Sequence, residues 1–353
     1  MGLLQDLGNS IRNVFGGFFL LLISVPLIGW NECSSVRVAD SLDEGAAAVV
    51  ELDSASDGDL VHLTGEAEAA GPIVDTEVGV QSDALVLTRE VEMYQWKEHR
   101  RNKNDDNSKK GAYVHELDWE DHVIKSSSFK EPQGHTNPDR MPFEDETWYG
   151  KDVTVGGYTI GKDHLRKLGS GDELPINTPP KPDLKVSNGL VYKGLDPASP
   201  QVGDVRIAYR AVPMGEISIV GKKQGNRIVP HKSSLGDTIA LAEMGYQSAE
   251  EMFDSAQAQN TAATWGIRVV GFFVILGGFM LILGPLRVVV DQIPLVGGLI
   301  NSGIFLSSAL LAVFVTGVVT GIAWLAAHPL LGIVLLGAAG AAGFGLFQAS
   351  RRG

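Results

Sequence analysis

A chain of 353 residues with a net charge of −13 and one cysteine, Cys33, cannot carry an internal disulfide framework or a cysteine-based zinc site. Its acidity argues against nucleic acid and against docking on anionic lipid headgroups. The acidic excess lies in residues 31–265, because 1–30 balance Asp6 against Arg12 and 266–353 hold four Arg against one Asp.

In residues 1–13, Leu3, Leu4, Leu7 and Ile11 recur at helical spacing with Phe15 beyond them. They make either an amphipathic surface helix or an extension of the apolar segment after them. Residues 14–30 are uncharged and long enough to cross a bilayer. Their flank, Trp30-Asn31-Glu32-Cys33, lacks the small residues of a signal-peptidase site, so the segment is read as an uncleaved signal-anchor.

Residues 31–265 form a polar domain, β-rich with some helix. Ala39–Val50 reads as a short helix with a weak point at Gly45. Alternation then predicts strands at Leu60–Thr64, Leu85–Trp96 and Tyr113–Leu117, with a charged hairpin tip at Lys97–Lys110. The proline-rich stretch 169–183 reads as an internal linker. Strands resume at Gly189–Tyr192, Asp204–Ala211, Glu216–Val220 and Arg227–Pro230. Asp57–Thr64 and Val202–Tyr209 share a pattern that suggests two similar halves around the linker. Ser248-Ala-Glu-Glu251 is a capping box, opening a helix that runs toward the next span.

Residues 266–286 form the second span and 303–327 the third; 329–348 form a fourth after a tight bend at Trp324–Pro329. The chain is therefore expected to be an integral membrane protein: four transmembrane α-helices, one N-terminal and three C-terminal, around a large β-rich α+β extramembrane domain. Residues 287–302 are too apolar to be simply solvated. They fit an interfacial or re-entrant loop in which Arg287 pairs with Asp291. Arg12, Arg287, Arg351 and Arg352 fall on one side of the membrane if the helices cross in succession. The positive-inside rule then makes both termini cytoplasmic and the acidic domain extracytoplasmic. No Asn-x-Ser/Thr sequon occurs, which favours a bacterial source or an unglycosylated surface. A bacterial inner membrane is expected ahead of a eukaryotic ER or nuclear envelope.

Several stretches together resemble one family. They are Trp30-Asn-Glu32, Ser41–Gly45, Leu60-Val-His62, Val91–Trp96, Trp119 ahead of Ser127-Ser-Phe129, Gly134–Pro138, Val202-Gly-Asp204, Gly236-Asp-Thr238, Ser248–Glu251 and Thr264–Arg268. In this order the sequence resembles the LUMA, or transmembrane protein 43, family over nearly the whole chain, and the span layout fits. The resemblance implies a scaffold: eukaryotic members sit in the inner nuclear membrane and ER, self-associate, and bind lamins and emerin. Those partners do not carry over to a bacterial relative, and the family supplies no catalytic residues to transfer.

The residues themselves offer little chemistry. His115 and His122, with Asp118 and Asp121 between them, are the nearest approach to a metal-ligand cluster, but they read first as solvated polar strand edges. Gly134–Pro138 reads as a tight turn, with a functional His135 as the alternative. No catalytic, cofactor or metal residues are therefore assigned, and no enzyme activity. The spans lack a buried carboxylate or Lys of the kind ion-coupled transporters use. They do carry small residues at four-residue spacing, Gly317 and Gly321 in the third span and Gly337, Ala341 and Gly345 in the fourth. These suit helix packing within one subunit or between copies. The expected function is a non-enzymatic scaffold whose partners are itself, membrane lipid and other membrane proteins. A lipid-binding or hydrolytic envelope enzyme, and a channel or transporter, stay open as alternatives.

Overall fold

The structure is a computed structural model that describes residues 2–100, 113–286 and 297–352. Two compact units divide the chain: Met1–Ala47 with Lys232–Asp237 and Phe253–Gly353, and Ala48–His231 with Thr238–Met252.

The first unit is helical. Its opening helix, Gly2–Ala48, is continuous for 47 residues. It absorbs the amphipathic segment, the first span and the helix expected separately at Ala39–Val50. Gly45 does not break it, because an interior Gly costs a helix only about 1 kcal/mol. Pro26 also lies inside it. Helix Ala249–Ile282 runs from the capping box straight into the second span. Helix Gly297–Ala327 is followed by Pro329–Arg352, with the break at His328 where the proline bend is expected. His328 N–H still reaches the Trp324 carbonyl at 2.7 Å, and Gly332 N–H reaches that of His328 at 3.0 Å. Among the described residues, three helices are long and apolar enough to cross a membrane, and a shorter apolar stretch covers Pro329–Ala341. Large side chains such as Phe15, Leu22, Val270 and Leu330 are exposed on them, as lipid-facing residues are. Arg287 and Asp291 lie outside the described residues, so the expected pair between them does too.

The second unit is the sheet-rich domain. In one sheet, Leu60–Glu68 pairs along its length with Gly215–Gln224 and at its end with Thr154–Val155. Tyr158–Ile160 and Arg227–Val229 complete the connection, so the pairings return to their start and close a ring of strands. Val61, Val155, Ile217, Ile219 and Ile228 fill its core. A second large sheet is built on Ala84–Arg100. One edge of that strand pairs with Val205–Pro213, and the other with Glu146–Tyr149 and then Tyr113–Glu120. The strand extends beyond the expected Trp96, since Arg100 still faces Tyr113. Alternate residues Leu85, Leu87, Val91 and Met93 are buried, the period of two that alternation implies.

The two segments of similar sequence enter different sheets, at Leu60–Glu68 and Val205–Pro213. The proline-rich stretch 169–183 supplies Asp172–Glu173, which pairs with Arg210 and Ala211.

Candidate functional site

Helices Gly2–Ala48 and Ala249–Ile282 share a seam that changes character along its length. At one end Gln257 Nε2 donates to the Ala39 carbonyl (2.9 Å) and to Asp43 Oδ1 (2.8 Å). Asn260 Nδ2 donates to the Ser35 carbonyl (2.9 Å), and the Thr264 and Ser35 hydroxyls meet at 2.7 Å. Positions 257, 260, 264 and 268 recur every three or four residues, so they lie on one helix face. Further along, Gly replaces polar contact: a Cβ on Gly271 would meet Ile28 at 2.6 Å, and one on Gly17 would meet the Gly278 carbonyl at 2.5 Å. In lipid no hydrophobic force joins helices, so side-chain hydrogen bonds and close backbone approach hold such a seam.

Between these two halves sits Glu32, fully buried. Arg268 Nε and Nη2 donate to its two oxygens at 2.5 and 2.6 Å, a two-pronged contact, and Trp324 Nε1 adds a third donor at 2.8 Å. The guanidinium lies 4.9 Å from the Trp265 ring and 5.8 Å from that of Trp324. The apolar spans read from the sequence stop short of any carboxylate; the first helix runs past its apolar stretch and carries Glu32 to Arg268. Three helices thus converge on one charge pair. The groups that meet Glu32 are hydrogen-bond donors, a guanidinium and an indole, so the arrangement neutralises charge and fixes helix register.

Beside Arg268 opens an apolar cleft of about 610 Å³. Gly317 lies on it and also faces helix Pro329–Arg352, where an added Cβ would meet Ala339 at 3.3 Å. Gly321 is closed off by Leu336 at 2.9 Å. Gly337 meets no atom within 4 Å, and Ala341 is exposed. Gly345 belongs to the same helix.

The sheet-rich domain has polar clusters of its own. Arg89, 1 % exposed, donates to Asp75 (2.7 Å) and Glu77 (2.7 Å) and lies over Trp148. Asp75 also accepts the Tyr209 hydroxyl at 2.6 Å; burial, then that bond, pushes the phenol's pKa well up. This is a satisfied buried network and needs no ligand.

His115 and His122 do not come together. His115 stacks on His135 with ring centroids 3.6 Å apart, and its Nε2 lies 3.2 Å from Glu98. Burial works against the Glu98 carboxylate, but N–H groups of Lys130 and Glu131 and the His115 ring outweigh it and lower its pKa. His122 is exposed and bonds Asp121 at 2.6 Å. Glu120, Asp121 and His122 bring one ligand atom each within 4.8 Å of one another. Lys97 already meets Glu120 at 2.5 Å, which supplies that group's countercharge. Within the turn at Gly134–Pro138, Asn137 accepts from Trp96 N–H at 2.7 Å and donates to the Trp96 and Ile124 carbonyls.

The family described as transmembrane protein 43 matches residues 93–329. Transmembrane protein 43 of Homo sapiens is 29 % identical over 360 residues, covering 96 % of this chain and 90 % of that protein. The Mus musculus protein is 28 % identical over 351 residues, covering 93 % and 88 %. The Drosophila melanogaster homolog is 29 % identical over 338 residues, covering 91 % and 90 %. No solved structure matches the chain.

Proposed function

The chain belongs to the transmembrane protein 43 family, and from that premise we propose that it is a non-enzymatic membrane scaffold that self-associates and organises membrane proteins or lipid. The observation that carries this reading is the outer face of the last helix. Gly337 faces open space there and Ala341 is exposed, between the exposed Ile333, Val334 and Phe344. A notch of small residues between larger ones admits a second helix closely. Gly317 and Gly321 pack inside the subunit in this reading, and Gly337, Ala341 and Gly345 between subunits.

The proposed orientation puts both termini in the cytoplasm and the acidic domain in the periplasm or outside a bacterium, or in the lumen of a eukaryotic membrane. The Arg distribution supports it. An Arg287–Asp291 pair would sit at the cytoplasmic interface.

The test of assembly is particle mass in mild detergent. Wild type is expected to be oligomeric and Gly337→Leu and Ala341→Leu to dissociate, since overpacking commonly costs about 1–3 kcal/mol. A monomeric wild type refutes self-association; variants that stay oligomeric move its contacts off this face. Topology is read by cysteine labelling in a Cys33→Ser background. Ser54→Cys should react from outside the cytoplasm and Ser350→Cys only from within.

A further inference from the structure

We propose that the cleft beside Arg268 holds one acyl chain of a membrane glycerophospholipid, with an ester or phosphate oxygen of the same molecule accepting a hydrogen bond from Arg268 Nη1. The site lies wholly within the helical unit and shares Val334 with the face proposed above for self-association.

Shape is the first ground. The cleft, about 610 Å³, is walled by Val269 and Phe272 of one helix, Thr316 and Gly317 of the next, and Val334 and Leu335 of the last. Trp265–Phe273 and Thr316–Trp324 each advance about 12 Å at 1.5 Å per residue. One leaflet of a hydrocarbon core is about 15 Å deep, half of the usual ~30 Å. The cleft is therefore about as long as one leaflet's chains.

The second ground is the charged group beside one end of an otherwise apolar cleft. Arg268, Trp265 and Trp324 gather there, and Trp and Arg belong at the headgroup level. Glu32 takes Nε and Nη2 of Arg268, and Nη1 has no hydrogen-bond partner among the described residues. Because Glu32 already balances the charge, the site favours a hydrogen-bond acceptor over a free anion. A second copy of a transmembrane helix meets that requirement poorly, since its backbone carbonyls are spent internally. A phospholipid carries ester and phosphate oxygens at this depth and an alkyl chain below them.

The experiment uses the full chain purified in mild detergent, with phospholipid counted by native mass spectrometry and by phosphorus assay. Leu335→Trp fills the cleft, leaves the Glu32–Arg268 pair intact and lies off the Gly337–Ala341 face. Leu330→Trp is the control, because Leu330 is exposed on the same helix and does not line the cleft. Wild type and Leu330→Trp are expected to retain one phospholipid per chain, and Leu335→Trp to lose it at least tenfold. Wild type free of phospholipid overturns the proposal, as does equal retention by the two Trp variants. So does a lipid-free wild type whose particle mass falls on Leu335→Trp, which would make the cleft a seat for a second copy. Phosphorus content reads this proposal and particle mass reads the scaffold, so failure of one is distinguishable from failure of the other.

Discussion

Arg268 and Glu32 stand 236 positions apart in the sequence and meet through two hydrogen bonds of 2.5 and 2.6 Å, with the carboxylate fully buried. The pair joins the first helix to the second apolar one, and Trp324 ties in a third. Glu32→Gln should therefore leave Arg268 without its countercharge. Breaking a buried pair by removing one partner costs about 3–5 kcal/mol. Thermal unfolding in detergent should show a large loss for Glu32→Gln and a smaller one for the double replacement Glu32→Leu/Arg268→Leu. Equal losses would mean that helix packing, and not the charge pair, holds this seam.

The glycine half of the seam makes a separate prediction. A side chain at Gly17 meets backbone, the Gly278 carbonyl, which cannot rotate away. Gly17→Leu should lower stability by about 1–3 kcal/mol or more. Gly16→Leu, one position along and facing open space, should be close to neutral. Thermal melts of the two variants side by side check this, and a neutral Gly17→Leu would show that the helices are not in close contact there.

What the sequence makes legible is what local periodicity encodes. Uncharged runs give the spans, and alternation gives the strand around Leu85–Met93. The box at Ser248–Glu251 forms as written, with Ser248 N–H on Glu251 at 2.8 Å. Partner identity is not local. Nothing in Trp30-Asn-Glu32 names Arg268, although a carboxylate just past an apolar run and an Arg at the edge of another are a cue worth pairing. The histidines fail for a geometric reason. The strand Tyr113–Glu120 rises about 3.3 Å per residue, so His115 and its far end stand about 17 Å apart. His115 then finds Glu98 across the sheet and His135 from a loop, neither of which spacing along the chain can reveal.

That capping box can be weighed directly. Ser248→Ala removes the hydroxyl that Glu251 N–H reaches at 3.3 Å, and loss of an N-cap costs about 0.5–2 kcal/mol. The Ser248 N–H, then its hydroxyl, hold the Glu251 pKa below the ordinary 4.5. The carboxylate's share of the box is therefore full above that value and lost as pH falls through the lower folded one. Melts of wild type and Glu251→Gln should differ at pH 7 and converge toward pH 3.

His164 is expected to make the sheet-rich domain sensitive to mild acid. Its ring is buried, with Nε2 3.2 Å from the Val220 carbonyl and no hydrogen-bond partner on Nδ1 among the described residues. Burial lowers its pKa below the ordinary 6.5; the Val220 bond and Asp163 pull the other way, and Lys167 adds to the lowering. Relief by movement is limited, because Gly221 packs so closely that a Cβ there would stand 2.6 Å from Nε2. In the unfolded chain the ring takes up a proton near pH 6.5, and in the folded one only at lower pH. Between those two values the unfolded state binds more protons, so stability falls as pH falls. For one group the slope is limited to about 1.4 kcal/mol per pH unit. The contribution is whole above pH 6.5 and exhausted once pH passes below the folded value. Unfolding of the full chain in detergent at pH 7.5, 6.5 and 5.5 should show this slope in wild type. His164→Gln keeps a donor for Val220 but does not titrate, so its curve should be flatter over the same interval. Parallel curves would assign any acid sensitivity to the other histidines.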